Sequence, residues 1–319
     1  MKRMAGLRLL VMAGVVGLAS FSDVSAAQAP VPVQAAIAGV VAAGAKVELL
    51  KNGLTGAEGP VRTPDGGLYF TDIRASRIYK LDSNGNIAVW RENTGGANGL
   101  FLTRDGRLLA AEGDTKRIVA IVPDGTVTPL VTEFGGRPLR SPNDLIMDKK
   151  GGIYFSDPAP RGSSDPSPVL YRRPDGEVIL IDDHFIFPNG VSLSLDEKTL
   201  FILDINAEDV YAYDIQPDGS VKNKHPFAKL AGFTKPATGP ARSGADGMAI
   251  DSKGRLYVTS DIGIQVISPA GSNLGTIAVP TKARNVAFGG PRRHTLYIVG
   301  PGELYRLQML SEGPPGRVK

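Results

Sequence analysis

The apolar runs of this chain are short and arrive in pairs. GLYFTD, RLLAAE, GIYFSD, TLFILD, RLYVTS and TLYIVG each follow another short apolar segment across a charged or polar turn. Asp-Gly and Asn-Gly pairs punctuate the chain at Asp65-Gly66, Asn84-Gly85, Asp105-Gly106, Asp124-Gly125, Asp175-Gly176 and Asp218-Gly219. Such pairs tolerate the positive φ angles of tight hairpin turns, and their β-branched and aromatic flanks predict strands on either side. In the first copy LYFTD runs into RIYKLD and then NIAVW, leaving no room for a helix. Outside the N-terminal segment no window sustains a helical apolar period.

The pairs form a repeat. Glu58-Gly-Pro, Asn98-Gly-Leu, Asn143-Asp-Leu, Asn189-Gly-Val, Asp246-Gly-Met and Asn285-Val-Ala each open the first strand of a pair. These anchors lie about 40 to 57 residues apart, the spacing of β-propeller blades rather than of helical solenoids. The predicted fold is all-β: a six-bladed β-propeller over residues 46–310. Insertions at 159–168 and 231–245 are expected to overhang one face and shape access to it. The last repeat, ending in ELYRLQML, lacks an outer strand. Lys46-Val-Glu-Leu-Leu can supply it and close the ring, since an open propeller exposes unpaired edges.

The N-terminus stands apart. Lys2, Arg3 and Arg8 lead into LLVMAGVVGLASF, with small residues at Val24-Ser25-Ala26-Ala27. Residues 1–27 therefore read as a signal peptide, predicting a periplasmic or secreted protein with no stable membrane insertion after cleavage. There is no cysteine, so neither a disulfide nor a lipidated cysteine is available. The net charge of +4 falls to about +2 once Lys2, Arg3, Arg8 and Asp23 leave with the leader. No basic block interleaves with aromatics, which argues against a nucleic-acid partner. Residues 28–45, rich in Ala, Val and Pro, read as a flexible spacer, and 311–319 as a C-terminal tail. Nothing in the pattern fixes an oligomeric state.

Ring closure brings the anchors to one mouth of the central channel. Glu58, Asn98, Asn143, Asn189, Asp246 and Asn285 offer two carboxylates and several amide carbonyls. Hard oxygen donors of this kind suit calcium, and less well magnesium or manganese. Zinc is a poorer alternative, because His184, His225 and His294 lie outside the anchors. Asn98 and Asn285, taken alone, fit ordinary turn chemistry equally well. The acids Asp72, Glu112, Asp157, Asp204 and Asp261 close the second strands and read as turn or inter-blade hydrogen-bond acceptors. Tyr69, Tyr154, Tyr257 and Tyr297 read as inter-blade packing, and His184 as a hydrogen-bonded loop residue.

EGPVRTPDGGLYFTDI, SPNDLIMDKKGGIYFSDP, FPNGVSLSLDEKTLFILD, ADGMAIDSKGRLYVTS and NVAFGGPRRHTLYIVG together resemble the SMP-30/gluconolactonase-like family of six-bladed propellers. The resemblance implies a divalent cation, commonly calcium, in the channel and hydrolysis of a lactone, in many members a sugar lactone. It implies metal ligands at Glu58, Asn189 and Asp246, with Asn143 as a further ligand or substrate contact. Asp246 then positions or deprotonates the attacking water, or serves only as a ligand, while Asn143 and Asn98 bind the substrate or a metal-bound water. The sequence departs from the family pattern at two places. Val61 and Arg62 follow EGP where many members carry an aromatic residue. Ser141 stands where animal members place a substrate-binding arginine, with Arg140 one residue further back as the substitute contact. Two alternatives stay open: an organophosphate-type hydrolase on the same site, and a non-catalytic propeller that binds a partner with the metal as a structural plug.

Overall fold

Each predicted run becomes one strand of a four-stranded antiparallel sheet in the computed structural model, which describes Met1, residues 34–163, 165–316 and Lys319. The expected leader, apart from Met1, and the first residues of the expected spacer lie outside the described residues. Blade 1 runs from the inner strand Ala57–Arg62 to the outer strand Ile87–Glu92, and blade 2 from Ala97–Leu102 to Val127–Val131. Blade 3 spans Leu145–Met147 to Val178–Phe185, blade 4 Pro188–Leu193 to Val221–Lys229, and blade 5 Met248–Ile250 to Asn273–Ile277. All five take their strands in chain order, so every internal connection is a hairpin.

Blade 6 closes the ring as expected. Its strands Asn285–Gly289, Thr295–Val299 and Leu304–Gln308 are completed by Val47–Lys51 from before blade 1. Val47 pairs with Leu307 and Glu48 with Arg306, whose guanidinium also meets the Glu48 carboxylate at 2.8 Å. The two ends of the repeat array are thereby held in one sheet, which closes the ring.

The core lies between blades. Val61 and Ile78 of blade 1 pack on Leu100 and Ala110 of blade 2, and Met248 and Ile250 of blade 5 pack on Leu203 and Val210 of blade 4. Equivalent clusters fill the remaining interfaces. Middle strands are thus covered on both faces, which explains why they read as continuous apolar runs rather than strict alternation. Two of the recurrent tyrosines serve this packing: Tyr154 lies in the cluster between blades 3 and 4, and Tyr257 of blade 5 meets Phe288 of blade 6 edge-on. Their hydroxyls find partners inside, Tyr154 on the Gly219 carbonyl and Tyr257 on Asp251 and Ser311.

The described part of the expected spacer departs from that reading. Ile37, Val40 and Val41 are buried against blades 5 and 6, Leu310 N–H bonds the Val40 carbonyl, and Gln34 pairs with the backbone of Ala278. Its composition looked like a linker because alanine and valine serve both purposes, and only the tertiary contact distinguishes them. The segment after residue 310 also packs, through Arg293 on the Gly313 carbonyl and through Lys319, which is buried. Among the described residues no helix is long and apolar enough to cross a membrane.

Candidate functional site

Three of the anchors sit in β-bulges. Pairing of the inner strand with its neighbour shifts register between Glu58 and Val61, between Ala97 and Leu100, and between Pro188 and Val191. A bulge re-aims the side chain it carries, here Glu58, Asn98 and Asn189 at the channel end of their strands. Asn143 and Asp246 stand two residues ahead of the regular strands Leu145–Met147 and Met248–Ile250, and Asn285 begins its own.

The glycine after the anchor marks how closely the blades approach. A Cβ on Gly190 would lie 2.7 Å from the Asp246 carbonyl oxygen, and one on Gly247 would lie 2.1 Å from Asn285 Cγ. The same contacts carry hydrogen bonds from blade to blade. Gly99 N–H donates to the Asn143 carbonyl at 2.8 Å, Gly190 to Asp246 at 2.8 Å, and Gly247 to Arg284 at 2.7 Å. Hydroxyls of the second strands add Thr71 to the Asn98 carbonyl at 3.0 Å and Ser156 to the Asn189 carbonyl at 2.7 Å. The anchor backbones therefore form a stitched ring.

Within it, Glu58 and Asn189 are buried, while Asn98, Asn143 and Asp246 keep partial exposure. Asn285 Nδ2 donates to Glu58 Oε2 at 3.1 Å, which makes Asn285 a support for Glu58. Among the described residues no hydrogen bond reaches the side chains of Asn98, Asn143, Asn189 or Asp246. Burial, and then the charge of Asp246, hold the Glu58 carboxyl well above the usual carboxylate range, against Arg284, Asn285 and Gly59. Burial also raises Asp246, with Asp144 adding to it and Arg284, Lys282 and Arg161 pulling the other way. Two acids, one acting on the other's charge, and amide oxygens without a hydrogen bond among the described residues form a donor set that fits a hard divalent cation, because such an ion relieves their mutual repulsion and satisfies the amides.

Three residues at the site escaped the sequence reading. Asp144, beside Asn143, accepts N–H groups from Leu145 at 2.9 Å and Val191 at 3.2 Å, and pairs with the Lys319 ammonium. Both side chains of that pair are only 1% exposed, so Lys319 neutralises a carboxylate beneath the anchor ring. Arg284, beside Asn285, is half-buried. Adjacency to an anchor was the available signal for Asp144 and Arg284, and nothing local marked Lys319. Arg140 is held at the backbone, its N–H donating to Asp157 at 2.9 Å.

The remaining acids serve the strand ends. Asp72 accepts from Thr55, and Asp204 from Ile186 and Phe187, which ties second strands to the segments that enter their blades. Asp261 pairs instead with Arg242 and Lys282. His184 lies 3.0 Å from Asp182 on the outer strand of blade 3, and His225 is on the outer strand of blade 4. Asp182, Asp183 and His184 cluster closely enough to hold an ion, but Lys224 already occupies Asp182, and the cluster is on the rim strand rather than the channel. The inserted loops sit at the anchor end: Arg161 lies 4.1 Å over the Phe187 ring, and Asn206 bonds the Ala241 carbonyl. A cavity of about 900 Å³ opens at the opposite end, lined among others by Arg62, Arg104, Lys149, Ser252 and Pro315, and contains none of the anchors.

Comparison with known proteins agrees with this architecture. The model of the SMP-30/Gluconolactonase/LRE-like region matches residues 56–300. The chain is 27% identical over 296 residues to a gluconolactonase of Zymomonas mobilis, covering 84% of this chain and 82% of that one. It is 31% identical over 255 residues to the pentonolactonase XacC of Haloferax volcanii, covering 77% and 81%. The solved gluconolactonase XC5397 of Xanthomonas campestris superposes with a TM-score of 0.75 at 27% identity, over 88% of this chain and 95% of that one. With the family region spanning all six anchors, the chain belongs to the SMP-30/gluconolactonase/LRE-like family.

Proposed function

We propose that this protein hydrolyses a sugar lactone to its hydroxy acid at the anchor ring, with a divalent cation, calcium by the hardness of its donors, held by Glu58, Asn143, Asn189 and Asp246. One observation carries the reading: Glu58 and Asp246 are carboxyls raised by burial, with the charge of Asp246 acting on Glu58, beside amides whose side chains take no hydrogen bond among the described residues. The gluconolactonase and pentonolactonase relatives supply the substrate class. A cation bound there supplies Lewis-acid polarisation of the ring-ester carbonyl.

The chain's own groups do the rest. Asp246, partly exposed, orients the attacking water and accepts its proton at a carboxylate oxygen. Asn98 and Asn143 donate their amide N–H groups to sugar hydroxyls, and Arg140 stands on the same rim as a further contact. Glu58, fixed by Asn285 and Gly59, keeps its geometry through turnover. A lactone is an activated ester, so orientation and electrostatics suffice without a serine or cysteine nucleophile. Export to the periplasm or medium completes the proposal, resting on the N-terminal pattern alone.

The test is an indicator assay of lactones and organophosphates with calcium, zinc, manganese, magnesium and chelator. The proposal expects lactone turnover that chelation abolishes and calcium restores. Turnover of organophosphates alone, or lactone turnover indifferent to chelator, contradicts it.

A further inference from the structure

Several cationic side chains gather around the anchor mouth. Arg284 immediately precedes Asn285, and its carbonyl receives the Gly247 N–H at 2.7 Å and the Thr259 hydroxyl at 3.0 Å, so its backbone is fixed beside Asp246-Gly247. Its guanidinium is half-buried and has no hydrogen bond or ion pair among the described residues. Arg161 reaches the mouth from the inserted loop of blade 3, braced on the Phe187 ring two residues before Asn189. Lys282 Nζ lies 2.7 Å from Asp261, an acid that also holds Arg242 at 2.6 Å. Two cations therefore share one carboxylate.

The charges can be followed through the site. A divalent cation at the anchor ring would balance Glu58 and Asp246. Lys319 balances Asp144, and Asp261 covers one of Arg242 and Lys282. With that cation in place, Arg284 and Arg161 form no ion pair among the described residues. A planar donor fork suits a carboxylate or phosphate.

We infer that Arg284, assisted by Arg161 and Lys282, forms an anion subsite that selects lactones bearing a negative group, carboxylate or phosphate, away from the ring ester. The inference rests on the lactonase reading and narrows its substrate class. Arg284 acts as a specificity residue: it binds the remote anion and leaves the ester to the anchor ring.

The test uses two matched pairs with the metal-loaded protein. Glucono-1,5-lactone is compared with 6-phosphoglucono-1,5-lactone, and galactono-1,4-lactone with galactaro-1,4-lactone. The wild type should favour the charged member of at least one pair in kcat/KM, and the pair it favours tells phosphate from carboxylate recognition. Added salt should reduce that preference, since it screens the attraction. Arg284→Gln should cut the charged-to-neutral ratio about 10-fold or more, chiefly through KM, as expected for a lost charged hydrogen bond. Arg284→Lys should restore part of it. Equal losses on charged and neutral members assign Arg284 to the reacting carbonyl and overturn the inference, as does a wild type that prefers neutral lactones. Neutral turnover without charged preference leaves the lactonase reading standing and removes only the subsite; inertness toward all four removes both.

Discussion

Gly59→Ala probes the blade-to-blade contact on which the anchor ring depends. Gly59 follows Glu58 in the bulge of blade 1 and adopts φ of +52°, and a Cβ there would lie 2.0 Å from the Asn98 carbonyl oxygen. The left-handed backbone alone costs an alanine about 1–2 kcal/mol. Forcing the backbones apart adds about 1–3 kcal/mol, the usual cost of overpacking. The Thr71 hydroxyl bond to the Asn98 carbonyl, 3.0 Å long, is strained by the same movement and contributes about 1 kcal/mol more. A loss of about 3–6 kcal/mol follows, lowering Tm by about 6–24 °C at about 2–4 °C per kcal/mol. Gly53→Ala is the control, because Gly53 has φ of +71° with nothing within 4 Å of its Cβ position; it should lose about 1–2 kcal/mol from backbone conformation alone. Thermal unfolding followed by circular dichroism compares the two. Equal shifts would mean that blades 1 and 2 do not meet as closely as described.

Other consequences follow from the buried charges. Lys319→Met leaves Asp144 without its counterion and should destabilise the fold by about 3–5 kcal/mol in denaturant unfolding, with Asp144→Asn in the same chain recovering part of it; an unchanged midpoint contradicts the buried pair. Asp182 is raised by burial, but hydrogen bonds from Lys224, Tyr213 and His184 outweigh this and hold it at about 2. Its stabilisation is therefore present above the ordinary carboxylate range and is lost as pH falls through about 2, so Lys224→Met should be less stable at pH 7 and converge on the wild type in acid. A gap that widens in acid reverses that sign. Elemental analysis should find about one divalent ion per chain, and chelation should lower Tm, since an ion at a thousandfold its Kd adds about 4 kcal/mol; unchanged melting after verified removal of the ion refutes a bound stabilising metal.

The fold was legible because its strands are short, buried on both faces and separated by turn pairs with a definite backbone requirement. Even the closing strand Val47–Lys51 could be read, as the apolar run left over when six repeats were counted. Residues 34–45 could not, since Ile37, Val40 and Val41 gain their meaning only against blades 5 and 6. At the site, repetition exposed the anchors Glu58, Asn98, Asn143, Asn189, Asp246 and Asn285, but not the constraint on the glycines beside them. Their constraint is the neighbouring blade, which one strand's sequence does not contain. Asn285 fitted turn chemistry by sequence; the structure makes it a partner of Glu58. Lys319 and Asp144 are 175 positions apart, a pairing with no local pattern behind it.

Hydrolysis of glucono-1,5-lactone by the calcium-loaded wild type and by Asp246→Asn, at calcium high enough to fill the site in both, measures whether the anchor ring performs the reaction. The substitution keeps an oxygen donor and removes one charge and the proton acceptor, so kcat should fall about 100-fold or more, the lower end for a lost general base, with the ion still bound by elemental analysis. An Asp246→Asn protein that holds its ion and turns over at close to the wild-type rate would place water activation elsewhere and contradict the assignment.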